Sequence, residues 1–564
     1  MTSPFRTAEG GRIDRATTLE FTFDGQRLTG HPGDTLASAL LASGRHQVAT
    51  SIKFGRPRGI AAAWAEDPGG LVQIEEPFPE PMLLATTVEL SDGLVAHGLP
   101  GQGRLADVPD SARYDAVHHH VDVLVVGAGP AGLAAALTAA RSGARVALVD
   151  EQSEAGGSLL SGTERLDDAP ALQWVAAAVA ELAGHPDVLH LQRTTAFGSY
   201  DDGFVLALER RTDHLGAAAP KHVSRQRVWR LRARSIVVAT GAHERPVVFA
   251  DNDRPGTMLA GAARTFLHRY GVLPGREAVV FTTNDSAYDA ALDLHRAGVH
   301  VQAVVDARPE GSPRRAECEH AGIRVLSGAV VTGTQGVERV THALVAPFAD
   351  GEVGASSAIA CDLLLVSGGW NPAVHLFSQA RGRLRYDEGL GAFLPGEELD
   401  GLAVAGSAAG VLDLAGCLAD GQRVARAALG ALAVPPAADD RLPTAPEPVV
   451  PTAPLVLWRV PDTSGAEGST SFVDLQRDAT VADIARAVGA GLRSIEHIKR
   501  YTTIGTAHDQ GKTSGVLTSG ITAELLGVPV QDTGTTTFRP PYTPVAFAAL
   551  AGRDRGRLFD PERV

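Results

Sequence analysis

The sequence predicts an α/β fold with two successive β-α-β units, a small β-rich unit before them and a small helical unit after them. The most informative stretch is residues 123–157, in which an apolar strand, a glycine-rich turn, an alanine-rich helix and a second apolar strand follow one another. The strand–helix–strand pattern returns over residues 276–306. Apolar residues alternate around turn signals near the N-terminus, as in antiparallel strands.

The first glycine-rich turn has the residue types of a dinucleotide site. Gly127 permits a tight turn, Gly129 lets the backbone approach a pyrophosphate, and Gly132 allows close packing of helix on strand. The helix start presents free N–H groups and a positive dipole end to the diphosphate. Asp150 and its neighbour Glu151 lie where a carboxylate accepts hydrogen bonds from ribose hydroxyls, which disfavours a 2′-phosphate.

Two later segments predict that the dinucleotide is FAD. An apolar strand ends in Ala-Thr-Gly at Thr240 and Gly241, an element that recurs in two-dinucleotide-domain flavoproteins near the flavin nucleotide. The later segment GLAVAGS resembles the closing strand of that fold, and it ends in Gly406 and Ser407 where Gly-Asp is usual. Since serine replaces aspartate, we expect that contact to be weaker or made by the backbone. Gly157 completes the predicted FAD-binding set.

The second β-α-β unit has lost the glycines of its turn. Asn284 and Asp285 occupy that turn, and Asp306 ends the second strand at the acid position. Asn and Asp tolerate turn geometry and can cap the helix, but they crowd a pyrophosphate more than glycine does. One interpretation is an altered site for NAD or another adenine nucleotide, lined by these three residues. The other is a vestigial unit retained for packing.

Composition narrows the class of partner and cofactor. The net charge of −14 argues against nucleic acid or an anionic membrane as a partner. The N-terminus has no apolar signal-peptide region, so we expect a cytoplasmic protein. The three cysteines, Cys318, Cys361 and Cys417, lie far apart. We therefore expect no disulfide scaffold, no metal site of four cysteines and no iron–sulfur cluster.

The N-terminal unit has the pattern of a ferredoxin-type β-grasp fold. Alternating apolar residues, a hairpin signal at Asp24-Gly25 and a short helix ending at Gly44 follow one another. In the iron–sulfur members of this fold, the next loop supplies clustered cysteines, whereas here it has none. Lys53, Arg56 and Arg58 make this loop basic. They could contact a cofactor phosphate or form a solvated or interdomain loop.

The C-terminal part begins with a proline-rich tether over residues 431–456, which we expect to place the last unit away from the dinucleotide. The last unit has helices flanking a segment rich in basic and hydroxyl residues. The residues proposed to bind a phosphate are Lys499, Arg500, Thr506, Gln510 and Lys512. Such residues are suited to a phosphate, and a solvated basic turn is the alternative.

Several motifs carry a family resemblance that extends over essentially the full length. These motifs are KRYTTIGTAHDQGKTSG, RPPYTPVAFAALAGR, TTNDSAYDAALDL and SGGWNPAVHLFSQ. They resemble the α-subunit of heterotetrameric sarcosine oxidase and its relatives. The C-terminal unit also resembles the small [2Fe–2S] domain of bacterioferritin-associated ferredoxin type. The residues in place of its cysteines are Asp474, Gln476, Asp509 and Ser514.

The resemblance implies a FAD-binding subunit of a multi-subunit flavoenzyme that oxidises a secondary amine such as sarcosine. It implies a β-type flavoprotein partner, with small γ and δ subunits, and an FMN at the interface beside the C-terminal phosphate-binding segment. Opine, proline or hydroxyproline dehydrogenase subunits are alternatives, and a nucleotide-binding scaffold is an alternative of another class. The family's α-subunit continues into a folate-binding domain, so we expect a natural short form or a truncation. No catalytic residue is predicted.

Together these patterns predict a two-dinucleotide-binding-domain flavoprotein of FAD/NAD Rossmann-like type, with an N-terminal ferredoxin-like β-grasp domain and a small C-terminal helical domain that lacks cluster cysteines. The predicted boundaries are 1–112 for the β-grasp domain, 113–252 with 365–430 for the FAD domain, 253–364 for the NAD-like domain, 431–456 for the tether and 457–564 for the C-terminal domain.

Overall fold

A computed structural model of the chain describes residues 3–552 except 106, 108–109, 398 and 448–451. Part of the predicted tether and the end of the C-terminal unit, including the last residue of the RPPYTPVAFAALAGR motif, therefore lie outside the described residues. None of the helices in the described part of the chain is long and apolar enough to cross a membrane.

The N-terminal unit is a five-stranded sheet packed on one short helix. In sheet order its strands are Gln26–Gly30, Leu19–Phe23, Leu94–Gly98, Leu71–Glu76 and Glu80–Leu84. The first two form the predicted hairpin, and Leu19–Phe23 pairs in parallel with Leu94–Gly98. The helix Leu36–Ala42 begins at Thr35, whose hydroxyl accepts the N–H of Ser38 and so caps it. All of its residues are buried, because it lies in a core that the sheet shares with the helix Ala260–Tyr270 of the second β-α-β unit.

The first β-α-β unit is a seven-stranded sheet. Its strands are Val188–Leu191, Val146–Val149, Tyr114–Val126, Gln226–Val238, Phe204–Arg210 and Thr194–Tyr200, with Leu402–Val404 beside Gln226–Val238. Its main helices are Pro130–Arg141, Ala171–Gly184 and Leu414–Ala431. The alanine-rich helix Pro130–Arg141 packs closely on Leu414–Ala431, since a side chain at Gly421 would overlap the carbonyl of Ala131.

The second unit contains a fully parallel five-stranded sheet. In sheet order its strands are Thr257–Leu259, Leu363–Ser367, Glu277–Thr282, His300–Asp306 and Val325–Ser327. Its helices are Ala260–Tyr270, Ser286–Arg296 and Arg315–His320. The predicted boundary after residue 364 is therefore wrong, because it divides a strand whose apolar residues continue through Val366 into the core.

Smaller elements connect these sheets. A four-stranded antiparallel sheet contains Ala329–Gln335, His342–Ala349, Glu352–Val353 and Ser357–Ala360. Two-stranded pairs are Ala49–Thr50 with Pro57–Arg58, Arg165–Leu166 with Ala169–Pro170, Ala242–Glu244 with Trp370–Pro372, Leu384–Asp387 with Ala392–Pro395, and Phe472–Asp474 with Ala479–Thr480. The short helix His375–Gln379 follows Trp370–Pro372. Single 3-10 turns are Gly157–Ser161, Asp213–Ala218 and Gly406–Ala409.

The C-terminal unit is helical, and its helices are Val481–Gly489, Ile495–Thr502, Gly515–Leu526, Val530–Thr533 and Phe547–Ala551. It packs against the chain that connects the two β-α-β units. The amide of Asn252 donates to the carbonyl of Phe472 at 2.8 Å, and the Phe472 N–H donates back to Asn252 Oδ1 at 3.0 Å. The sequence had suggested that the tether places the last unit away from the dinucleotide units. The structure shows instead that this unit packs against them.

A buried ion-pair network joins the N-terminal unit, the connecting chain and the C-terminal unit. The guanidinium of Arg58 lies between the carboxylates of Asp253 and Asp478, and its side chain is 3% exposed. Arg56 pairs with Asp253 at 2.6 Å and with Asp251 at 2.9 Å. Of the two interpretations of this basic loop, the structure supports the interdomain one, since both arginines are used in ion pairs between units.

Replacing Arg58 with alanine is expected to lower the free energy of unfolding by about 3–5 kcal/mol, because the carboxylates of Asp253 and Asp478 would be buried without their partner. Arg45→Ala is the matched control, since Arg45 forms a more exposed ion pair with Asp24. A loss below about 1 kcal/mol is expected there. Chemical denaturation followed by circular dichroism measures both variants. Equal losses would contradict the role given to Arg58.

Candidate functional site

A cavity of about 740 Å³ opens at the junction of the units. This volume is within the range of about 300–1,000 Å³ that is usual for small-molecule and cofactor sites. The predicted residues that line it are Gly127, Gly129, Asp150, Glu151, Gly157, Thr240, Gly241, Ser407, Asn284 and Asp285. The predicted residues that do not line it are Gly132, Gly406, Asp306, Lys499, Arg500, Thr506, Gln510 and Lys512.

The glycines of the first turn divide into two groups by what a side chain would meet. A Cβ at Gly127 would overlap the carbonyl of Ala239, and one at Gly132 would overlap the carbonyl of Gly127. At Gly129, only the Cα of Gly157 lies within 4 Å of the Cβ position, at 3.8 Å. Gly127 and Gly132 therefore serve internal packing. Gly129 faces the cavity, which is what close approach of a ligand to the backbone requires.

The helix Pro130–Arg141 starts at the cavity wall. Its first residue follows Gly129, which has no side chain to cap the helix, and Pro130 and Ala131 line the cavity with it. The first N–H groups of a helix have no partner within the helix, and the dipole makes this end positive. An anionic group such as a diphosphate would be held here by backbone alone.

The two acidic residues after the second strand differ in their contacts. Asp150 accepts the N–H of Ala128 at 2.7 Å and that of Gln152 at 2.8 Å, so its carboxylate supports the glycine-rich turn. Burial raises the pKa of Asp150 and of Glu151, and the pKa of Glu151 is raised further by the charge of Asp150. Both line the cavity, where a ribose hydroxyl would find an acceptor.

The Ala-Thr-Gly element and the closing strand also reach the cavity. Thr240 donates its hydroxyl to the carbonyl of Ala373 at 2.7 Å, which connects this strand end to the chain before the helix His375–Gln379. Ser407 lines the cavity, whereas Gly406 lies behind it and donates its N–H to Asp420 at 2.8 Å. Both strand ends therefore line the cavity, and at the closing strand the hydroxyl of Ser407 stands in place of the usual aspartate.

The prediction that Asp306 lines a nucleotide site is wrong. Asp306 is fully buried and accepts the hydroxyl of Tyr288 at 2.8 Å. The guanidinium of Arg308 donates to both of its carboxylate oxygens, at 3.0 and 2.8 Å. Since these groups already satisfy its carboxylate, a ribose would have to displace them.

Side chains and backbone from other parts of the chain contact the turn of the second unit. The side chain of Asn284 donates to Ser367, and Asp285 pairs with Arg308 at 2.8 Å. Beyond these contacts, the tether crosses the turn, where Thr452 donates its N–H to Asp285 at 2.8 Å and Leu455 donates to the carbonyl of Thr283. The contacts of this unit therefore fit the packing interpretation rather than a second nucleotide site.

The five residues predicted to bind a phosphate in the C-terminal unit do not lie together. Lys512 is 4% exposed, and its ammonium donates to the carbonyls of Tyr542 at 2.7 Å and Asp509 at 3.1 Å. By contrast, Arg500 and Thr506 are exposed, and Lys499 and Gln510 are half-buried. Because Lys512 faces the interior and Arg500 faces solvent, the five residues do not form one anion site.

Three of the four positions compared with cluster cysteines, Asp474, Gln476 and Asp509, are in contact. Asp474, Gln476, Asp509 and Ser514 are all buried. Asp474 accepts the N–H of Gly505 at 2.7 Å, and Gln476 Oε1 accepts the N–H of Asp509 at 3.2 Å. Burial and the charge of Asp474 raise the pKa of Asp509 to about 7. Among the described residues, no group of three or more His, Cys, Asp or Glu could hold a metal ion.

Several cavity residues were not found by sequence reasoning. They are Trp64, Glu66, His243, Glu244, His375 and Tyr542, among others. They come from separate parts of the chain, so no local spacing connects them. Two of them lie in motifs that carried the family resemblance, His375 in SGGWNPAVHLFSQ and Tyr542 in RPPYTPVAFAALAGR. Those motifs were the only signal for these residues.

The fold and cavity define a class of protein, and comparison with known families agrees. Residues 121–391 match the pyridine nucleotide-disulphide oxidoreductase family, and residues 468–553 match the sarcosine oxidase A3 domain. The solved structure of L-proline dehydrogenase from P. horikoshii has the same fold, with a TM-score of 0.73 and 20% identity over 97% of this chain and 100% of that one. The chain is thus a two-domain flavoprotein-type α/β protein with a ferredoxin-like N-terminal domain.

The particular relatives are sarcosine oxidase α-subunits. The chain is 49% identical to that of Corynebacterium sp. (strain P-1) and 41% identical to that of Rhizobium meliloti (strain 1021), in both cases over its full length. It spans 59% and 60% of the length of these relatives. An opine oxidase subunit of Rhizobium meliloti (strain 1021) is 25% identical over 76% of this chain and 98% of that one. The chain belongs to the family of sarcosine oxidase α-subunits, and the resemblance seen in its motifs is confirmed.

One cofactor expectation is contradicted by these comparisons. The sequence was expected to have no iron–sulfur cluster, but residues 16–99 match a 2Fe-2S iron-sulfur cluster binding domain. The matched range contains no cysteine, and Cys318, Cys361 and Cys417 are buried outside it. The residues of the range therefore do not supply the thiolates with which such clusters are usually held.

The two kinds of glycine predict opposite effects of substitution. Gly129→Val is expected to abolish nucleotide binding, because its side chain would fill the space of the diphosphate, and to leave the melting temperature of the nucleotide-free protein nearly unchanged. Gly132→Ala is expected to destabilise the protein by about 1–3 kcal/mol or more, because its Cβ meets backbone that cannot move away. Thermal unfolding and the nucleotide content of the purified variants measure both. Full nucleotide retention by Gly129→Val would contradict the assignment of the diphosphate site.

Proposed function

We propose that this chain is the dinucleotide-binding subunit of a multi-subunit flavin-dependent enzyme that oxidises a secondary amine such as sarcosine. The observation that carries the proposal is the cavity at the start of the helix Pro130–Arg141, with Gly129 facing it and Asp150 and Glu151 on its wall. The relatives named as sarcosine oxidase α-subunits support the substrate class. They also support assembly with other subunits, among which a flavoprotein of β type is the proposed partner.

The residues of this chain bind and orient the nucleotide in this proposal. The first N–H groups of the helix and the open face of Gly129 hold the diphosphate, and Asp150 and Glu151 accept hydrogen bonds from the ribose. FAD is the dinucleotide that the Ala-Thr-Gly element predicts, and when bound it would supply the electron-transfer chemistry. The hydroxyl of Ser407 stands where an aspartate is usual, on the cavity wall and 3.7 Å from Cys417 Sγ. The scattered C-terminal basic residues give no support to an FMN phosphate site.

The amine itself is proposed to be oxidised in the partner subunit. Two ionisable groups of the cavity, His375 and Tyr542, are poorly suited to remove a proton from an amine. Burial lowers the pKa of His375 well below its usual range, and the positive charge of Lys512 lowers it further. Burial raises the pKa of Tyr542 well above its usual range. Both groups therefore remain neutral near pH 7.

The proposal predicts where the nucleotide and the activity are found. The full chain purified alone is expected to contain about one dinucleotide per molecule and no amine-oxidising activity, and activity is expected when the partner flavoprotein is added. Acid extraction with chromatography identifies the nucleotide, and a flavin absorption band distinguishes FAD from a nicotinamide dinucleotide. Sarcosine, proline and an opine are compared as substrates.

Three outcomes would change the proposal. Absence of any nucleotide, both alone and in the complex, would contradict it. Turnover by the partner at an unchanged rate without this chain would also contradict a role in catalysis. Equal stimulation by a Gly129→Val variant that lacks nucleotide would indicate a scaffold, which is the alternative of another class.

A further inference from the structure

A carboxylate from the N-terminal unit reaches the dinucleotide cavity of the next unit. Glu66 lines the cavity and is 8% exposed, and its Oε2 accepts no hydrogen bond from the described residues. The adjacent Asp67 has a different role, since it accepts the N–H groups of Ala61, Ala62 and Gly70 at 2.7–3.0 Å. Asp67 therefore maintains the local loop, whereas an oxygen of Glu66 is left without a donor.

Glu66 and the predicted ribose acceptor Glu151 both line the cavity. Burial, together with the negative charges of Glu151 and Asp67, raises the pKa of Glu66 to about 7. The influence of Glu151 means that the two carboxylates are close enough to repel each other. A donor placed between them would relieve that repulsion, and a ribose hydroxyl beside Glu151 is such a donor.

Polar contacts connect this wall to the C-terminal unit. His243 Nδ1 lies 3.7 Å from Glu66 Oε2, and His243 Nε2 lies 3.0 Å from the hydroxyl of Tyr542. Burial, together with the charge of Lys512, lowers the pKa of His243 to about 3, so the ring is neutral. Lys512 in turn donates to the carbonyl of Tyr542. The wall is thus made by the N-terminal unit, the first β-α-β unit and the C-terminal segment together.

We propose that Glu66 is a nucleotide-binding residue that accepts a hydrogen bond from the adenosine ribose, opposite Glu151, with His243 and Tyr542 as positioning residues. This inference rests on the proposed function, because it needs a nucleotide in the cavity. A buried acceptor without a donor is costly, and a ribose hydroxyl supplies the donor. Two carboxylates around the ribose would also repel a 2′-phosphate, so the site selects nucleotides with free hydroxyls.

The test measures discrimination between ribose and deoxyribose. Full-length, nucleotide-free protein is titrated by calorimetry with ADP, 2′-deoxy-ADP and 3′-deoxy-ADP at pH 8.5, where Glu66 is ionised. Wild type is expected to bind ADP about tenfold more tightly than at least one deoxy analogue, since hydrogen bonds to charged groups are among the stronger ones. In Glu66→Gln this ratio is expected to fall to about threefold or less, while binding of the deoxy analogue changes little.

Further variants separate a ligand role from a structural one. Glu76→Gln removes an exposed charge from the same unit and is expected to keep the wild-type ratio. Tyr542→Phe removes only the hydroxyl that holds His243 and is expected to reduce the ratio about twofold. Glu66→Asp keeps the charge on a shorter side chain and gives a second measurement should Glu66→Gln fail to fold. It is expected to reduce the ratio in the same direction.

The outcomes distinguish this inference from the proposed function. If wild type does not bind ADP, the nucleotide site and the inference both fail. If wild type binds ADP and the Glu66 variants keep the full discrimination, Glu66 is not a ligand and the nucleotide site stands. Equal binding of ADP and both deoxy analogues by wild type would also overturn the role of Glu66.

Discussion

The ion-pair network around Arg58 is the constraint on which the arrangement of the units depends. Its guanidinium is buried between Asp253 of the connecting chain and Asp478 of the C-terminal unit, and water is excluded from the contact. Charges buried in this way stabilise a structure only when all partners are present, so the three segments are held in one relative position. That position brings Glu66 and Tyr542 to the cavity, although neither belongs to the β-α-β unit that binds the ligand.

The proposed nucleotide site combines a backbone anion site with a lining of carboxylates. The N–H groups after Gly129 give the cavity a region of positive potential. The carboxylates of Glu66, Asp150 and Glu151 also line the cavity. Lys512 is close enough to influence this wall, but its ammonium is occupied by the carbonyls of Asp509 and Tyr542. A nucleotide with a diphosphate and free ribose hydroxyls matches this distribution of donors and acceptors.

The parts that sequence predicted well are those defined by local contacts. The strand, turn and helix around Gly129 depend on neighbours within about 30 residues, so their spacing identifies them. The errors at Asp306 and Lys512 have another cause. Asp306 has the right position for a ribose acceptor, but its carboxylate is taken by Arg308 and Tyr288, and Lys512 is turned inward by Tyr542. No pattern of residue types shows which side chain is already satisfied by another part of the chain.

The two β-α-β units present the same edge of a parallel sheet and use it differently. Ligands of such folds bind outside the carboxyl ends of the strands, and the first unit leaves this edge open at Gly129. In the second unit the tether lies there, with Thr452 and Leu455 bonded to the turn at Asp285 and Thr283. In the second unit, the sheet edge that could bind a ligand instead holds the tether. The tether then continues to Trp458 and the C-terminal unit. The tether that packs on this turn leads into the C-terminal unit, which brings Tyr542 to the cavity.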